Sequence, residues 1–172
     1  MSKKRRSGRT LKRPESLRLL LLTGIPATGK TRIGDHLRDQ HGFRHLDFEQ
    51  MPTLPRYLDR DEPRLRQRIE ALRKSGRDVV ITWGFVPDAQ LRFVLLLRSL
   101  GFKWVWFDGD RHSALREYLN RGSEQQDWDR QLAKIEVHID PHIDSLAPAV
   151  VNTFDDTGRF RQCDEIASQL LG

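Results

Sequence analysis

The chain has 172 residues, enough for one domain that buries roughly 70% of its unfolded surface and needs no disulfide or metal staple. Its one cysteine, Cys163, excludes an internal disulfide and points to a reducing, cytoplasmic setting. The formal charge of +6 is a property of one end: residues 1–13 carry seven Lys and Arg and no acid, so residues 14–172 carry −1 and are near neutral.

In chain order, residues 1–15 form a basic tail without apolar periodicity. It is expected to be disordered, and it is where nucleic acid or another anionic surface would be met. The LLLL run of Leu19 to Leu22 follows this basic start, but a glycine loop comes next rather than a small-residue cleavage site, so it does not read as a signal peptide. No stretch approaches the ~20 apolar residues of a membrane helix, and no membrane partner is expected. Leu17 to Thr23 instead reads as a strand covered on both faces. Ile33 and Leu37 mark a helix over Thr31 to Gln40 that stops at Gly42. Phe43 to Phe48 is a second strand, and Pro52, Pro55 and Pro63 punctuate the stretch after it.

Leu65, Ile69 and Leu72 mark a helix ending at Gly76, and Asp78 to Trp83 (DVVITW) is the clearest β-branched strand. Asp88 to Leu100 is helical with a stop at Gly101, and Lys103 to Phe107 (KWVWF) is the fourth strand. His112 to Asn120 and Gln125 to His138 read as two polar helices. Ala149 to Thr153 is a fifth strand, and Asp164 to Leu171 a closing helix. Five short apolar strands alternating with helices predict an α/β fold with a parallel sheet covered on both faces.

The loop after the first strand, Gly24-Ile25-Pro26-Ala27-Thr28-Gly29-Lys30-Thr31, matches G-x-x-x-x-G-K-[ST] at every fixed position, with a strand before it and a helix after it. Two glycines let successive N–H groups turn inward into a nest for phosphate oxygens, and the helix adds its positive N-terminal end. Lys30 supplies a mobile charge for the β- and γ-phosphates of ATP, and the Thr31 hydroxyl can ligate Mg²⁺. DVVITW runs into Trp83-Gly84-Phe85 with no acid before Asp88, and no N-K-x-D run is present. Both facts speak against a P-loop hydrolase or GTPase.

The second strand ends in His45-Leu46-Asp47-Phe48-Glu49. Alternation points Asp47 and Glu49 to one side, toward the crevice at the C-terminal end of the sheet. One carboxylate there can take a proton from an attacking hydroxyl while the other helps hold Mg²⁺ through water. Which of the two is the base stays open. Arginines crowd residues 56–68, and Arg56 or Arg60 would favour an anionic acceptor. Pro141 breaks the helical spacing of His138 and His142, so that pair does not read as a metal site. Trp83, Trp104 and Trp106 read mostly as core, with Trp83 also a candidate for the acceptor pocket, and Trp128, in the lid stretch, reads as packing, with adenine stacking the alternative.

Through GIPATGKT, the helix ending in HGF, the HLDFE strand, DVVITWGF and KWVWFDGDRHSALREYLNRG, the chain resembles the small P-loop kinases: shikimate kinase, gluconate kinase, adenylate kinase and antibiotic phosphotransferases of that type. The resemblance covers about residues 17–171. It implies a three-layer P-loop NTPase sandwich with strand order 2-3-1-4-5, a kinase-like domain over residues 16–172 and a helical lid over about 111–140. It implies Mg²⁺-ATP as the phosphoryl donor and a small-molecule hydroxyl (or phosphate) as acceptor. It further implies that Asp47 meets the acceptor hydroxyl, that Trp83-Gly84-Phe85 lines the acceptor pocket, and that Arg116 and Arg121 are lid arginines closing on the phosphates. WGF stands where shikimate kinases have an all-glycine loop, and residues 108–138 match no acceptor-specific pattern. A different class stays open: a nucleotide-dependent regulatory or nucleic-acid-binding P-loop protein acting through the tail.

Overall fold

The computed structural model describes residues 17–51, 62–146 and 149–172. The expected basic tail, Arg56 and Arg60 lie outside the described residues. Five strands form one parallel sheet: β1 (Leu19–Gly24), β2 (Arg44–Asp47), β3 (Val79–Thr82), β4 (Lys103–Asp108) and β5 (Ala149–Asn152), in the order β2-β3-β1-β4-β5. This is the expected order. The helices are α1 (Lys30–His41), α2 (Glu62–Lys74), α3 (Pro87–Ser99), α4 (Arg111–Asn120), α5 (Gln125–His138), the short α6 (Ile143–Leu146) and α7 (Cys163–Leu171). A single 3₁₀ turn, Asp140–His142, joins α5 to α6.

Strand alternation divides the core into two faces. Leu19 and Leu21 of β1, Val79 and Ile81 of β3, and Trp104 and Trp106 of β4 pack against α2, α3 and α5 through Leu65, Ile69, Phe93, Val94, Leu97, Trp128 and Ile135. Leu20, Leu22, Val80, Val105 and Phe107 face the other way, onto Ile33 and Leu37 of α1 and Ile166, Ala167 and Leu170 of α7. A strand sandwiched this way needs apolar residues at every position, which is why β1 reads LLLL without polar alternation. Burying each such leucine contributes roughly 2 kcal/mol. The helices stop where glycine lets the chain turn: the Gly42 N–H donates to the Leu37 carbonyl, and Gly76 and Gly101 follow α2 and α3.

Trp104 and Trp106 lie in the core as expected, and Trp128 is buried against Tyr118 rather than presented to a ligand. None of the described helices is long and apolar enough to cross a membrane.

Candidate active site

All five strands point their C-terminal ends at one edge of the sheet, and the loop Gly24–Gly29 lies at the centre of that edge, after β1. Gly24 has φ 137°, and a β-carbon there would run into the Phe107 backbone, against which the Ile25 N–H donates to the Phe107 carbonyl at 3.0 Å. Gly29, φ 78°, caps α1 in the left-handed region, and a β-carbon there would enter the Phe160 ring. Ala27, φ 57°, is the one non-glycine with positive φ among the described residues. The Thr28 hydroxyl donates to the Ile25 carbonyl at 2.7 Å and closes the turn on itself. The loop is thus held open-sided, its backbone facing a cavity of about 430 Å³.

Lys30 is buried and folded back: its Nζ donates to the Ile25 carbonyl at 2.9 Å and reaches the Gly24 carbonyl at 3.3 Å. Burial lowers its pKa from 10.5 to about 8; the negative fields of Glu49 and Asp47 oppose this, and the positive field of Arg121 adds to it. Residues from the P-loop, the end of β2 and the end of α4 therefore meet electrostatically at one ammonium group.

Asp47 and Glu49, expected on one side of a strand, part company: β2 ends at Asp47, and Glu49 lies in the turn that follows. Asp47 accepts from the Thr31 hydroxyl at 3.0 Å and from the Glu49 backbone N–H at 3.0 Å. It lines a smaller neighbouring cavity together with Thr31. Glu49 lines the main cavity, its carboxylate lying where a β-carbon on Gly84 would be, so the absence of a side chain at 84 makes room for it. Gly84, Phe85, Val86 and Pro87 form one wall; Tyr118, Arg121, Gln131 and Ile135 form another, with Arg130 and Lys134 one turn apart on α5.

The donor set suits a hard divalent cation. Thr31 commits its proton to Asp47, which leaves its oxygen lone pairs available beside a carboxylate. Among the described residues no group of three or more His, Cys, Asp or Glu forms a protein cage, and Mg²⁺ in phosphate chemistry typically takes one or two protein oxygens together with the phosphates.

Three solved structures share this architecture. A gluconokinase from Sinorhizobium meliloti matches over 91% of this chain and 90% of its own, with TM-score 0.58 and 16% identity. A sugar kinase from a Janibacter species matches over 90% and 92%, with TM-score 0.59 and 16% identity. A shikimate kinase from Acinetobacter baumannii, in complex with shikimate, matches over 91% and 94%, with TM-score 0.58 and 19% identity. The chain has the fold of the P-loop small-molecule kinases. No protein-family model matches it, and no curated protein sequence matches it.

Within that fold, three side chains assigned from sequence lie outside the main cavity: Asp47, in the smaller one, and Arg116 and Trp83. Arg116 does not line the cavity: its guanidinium donates to the Gly158 carbonyl at 2.9 Å and to the Ser113 hydroxyl at 3.3 Å, on another side of α4 from the end that carries Arg121. Trp83 is 5% exposed and packed between Phe48 and Phe85, so it supports the acceptor wall from behind and does not form it. Gly84 and Phe85 do line the cavity. Sequence reasoning missed Tyr118, Arg130, Gln131 and Lys134. The available signal was the spacing of Arg130 and Lys134 four apart on one helix face, which is also the spacing of an ordinary solvated helix.

Proposed function

We propose that the protein is an ATP-dependent kinase that transfers the γ-phosphoryl group to a hydroxyl of a small molecule. The observation that supports this best is the meeting of Lys30, Glu49 and Arg121 in one cavity that the Gly84–Pro87 loop also lines. A hydrolase site needs only a place for water. A cavity with a carboxylate set against a separate apolar wall suits a second substrate.

The loop N–H groups and Lys30 hold the phosphates, with Lys30 leaving the Gly24 and Ile25 carbonyls to do so. Glu49 accepts the proton of the acceptor hydroxyl as its oxygen bonds to the γ-phosphorus and the bond to the β-γ bridging oxygen breaks, giving ADP. Arg121 offsets negative charge on the transferring group. Thr31 and Asp47 would hold Mg²⁺, which when bound neutralises phosphate charge and polarises the phosphoryl group.

The test is transfer from γ-labelled ATP, with Mg²⁺, into a fractionated pool of cellular metabolites. The wild type should label a small molecule. Glu49→Gln should lower transfer by about 10²-fold or more while keeping nucleotide affinity within a few-fold, because Glu49 lies outside the phosphate nest. Label recovered only as free phosphate would rule the transfer reading out.

A further inference from the structure

Two polar contacts join α1 to β2 in parallel. Near the P-loop, Thr31 donates to Asp47 at 3.0 Å. One helical turn further on, Asp35 Oδ1 lies 3.0 Å from His45 Nδ1. Four residues along a helix advance about 6 Å, and two along a strand advance about 6.6 Å, so the helix pair 31 and 35 and the strand pair 47 and 45 stay in step like two rungs.

The second rung is built with unusual care. The His45 side chain is 4% exposed, and its far nitrogen, Nε2, lies 2.8 Å from the Thr82 hydroxyl, which ties β2 to β3 as well. A carboxylate only accepts, so Nδ1 carries a proton and donates to Asp35, while Nε2 pairs with the Thr82 hydroxyl. The same Asp35 oxygen, Oδ1, also accepts from Arg38 at 2.6 Å. The ring lies so close to α1 that a β-carbon on Gly34 would fall within 2.7 Å of its Cδ2 and Cε1. A glycine inside a helix costs about 1 kcal/mol against alanine, so this close approach is made at the expense of the helix.

We infer that Asp35 and His45 are positioning residues that fix the spacing between Thr31 and Asp47, and through it the way the protein receives the cation that accompanies the phosphates. The inference rests on the kinase reading above. A histidine serving only the core would fill its volume and nothing more. Here the ring and its carboxylate act at one remove on the Thr31–Asp47 pair, as outer partners do on the groups that touch a metal.

The test is calorimetry of the full chain with the non-hydrolysable ATP analogue AMP-PNP, in Mg²⁺ and in EDTA, beside thermal melts. The readout is the ratio of the two affinities, which loss of core volume alone would leave unmoved. Mg²⁺ should tighten binding to the wild type. In His45→Leu the ratio should fall about tenfold, with the EDTA affinity kept. His45→Asn, whose amide nitrogen can reach Asp35 in place of Nδ1, should keep most of the ratio. Asp35→Ala, at a half-exposed helix position, should fold normally and reduce the ratio as well, so the test survives if His45→Leu does not fold. An unchanged ratio in His45→Leu and Asp35→Ala, or equal losses in His45→Leu and His45→Asn, would overturn the inference. So would a wild-type ratio of one. A wild type that binds no AMP-PNP in either buffer would remove the kinase reading and this inference together, whereas binding without the expected ratio changes would remove only the inference.

Discussion

Lys30 spends the free state against its own loop, donating to the carbonyls of Gly24 and Ile25, and burial draws its pKa down to about 8. A triphosphate in the nest places negative charge beside it and raises that pKa again. The free protein therefore loses the proton as pH rises through about 8, while the complex keeps it. Nucleotide affinity is full below that pH and weakens by up to tenfold per unit above it. In metal-free buffers of unequal ionisation enthalpy, calorimetry should find close to one proton taken up per nucleotide at about pH 9 and few at about pH 7. A pH-independent affinity across that range would mean that Lys30 does not move to the phosphates. At this scale the P-loop residues were legible because the motif fixes a backbone shape; Glu49 was legible only as a carboxylate near the loop, since β2 ends at Asp47 and a turn, not alternation, carries Glu49 to the cavity. The two arginines were not separable. Five helical positions turn about 140°, so Arg116 and the α4-terminal Arg121 meet different surroundings, and the sequence does not say which one faces the cavity. Trp83, read as core and also as a candidate for the acceptor pocket, follows a buried strand, and its packing between Phe48 and Phe85 is a tertiary fact.

The segment between β5 and α7 illustrates what an element can do without regular structure. Thr153 to Gln162 folds back through an isolated antiparallel bridge between Phe154 and Phe160, with those two rings 6.0 Å apart and nearly perpendicular. Phe160 covers Gly29, Arg32 stacks over its outer face at 4.6 Å, and Arg116 holds the turn at Gly158. The segment is a brace between the P-loop and α4. Phe160→Ala should cost about 2 kcal/mol of stability, the ring being half-buried, and should weaken nucleotide binding while leaving the Mg²⁺/EDTA ratio intact. Denaturant unfolding and the same calorimetry would check both, and a brace that matters only for folding would leave affinity unchanged. The strands and long helices were legible, since apolar runs and glycine stops are local signals. This brace was not, because nothing near residue 160 announces a partner at residue 29.

For the whole molecule, charge and topology carry the consequences. Residues 1–13 hold seven positive charges, and the rest of the chain is near neutral. Deleting them should keep AMP-PNP affinity within about twofold, while any affinity for duplex DNA, measured across a salt series, should collapse together with its salt dependence. A truncated chain that keeps DNA affinity would place that binding on the folded part; one that loses phosphoryl transfer would favour the regulatory alternative. Topology sets a different condition. β1 is made before the other four strands of the sheet and lies in its middle, with β3 on one side and β4 on the other. Gly24 is paired with Phe107, and Ile25 donates to that same residue's carbonyl. On the ribosome, the nascent chain therefore carries the complete phosphate-loop sequence long before it has anything for that loop to lean on. The cradle can take its shape only after residue 107 has emerged, and a chain released any earlier would bear the signature without the grip.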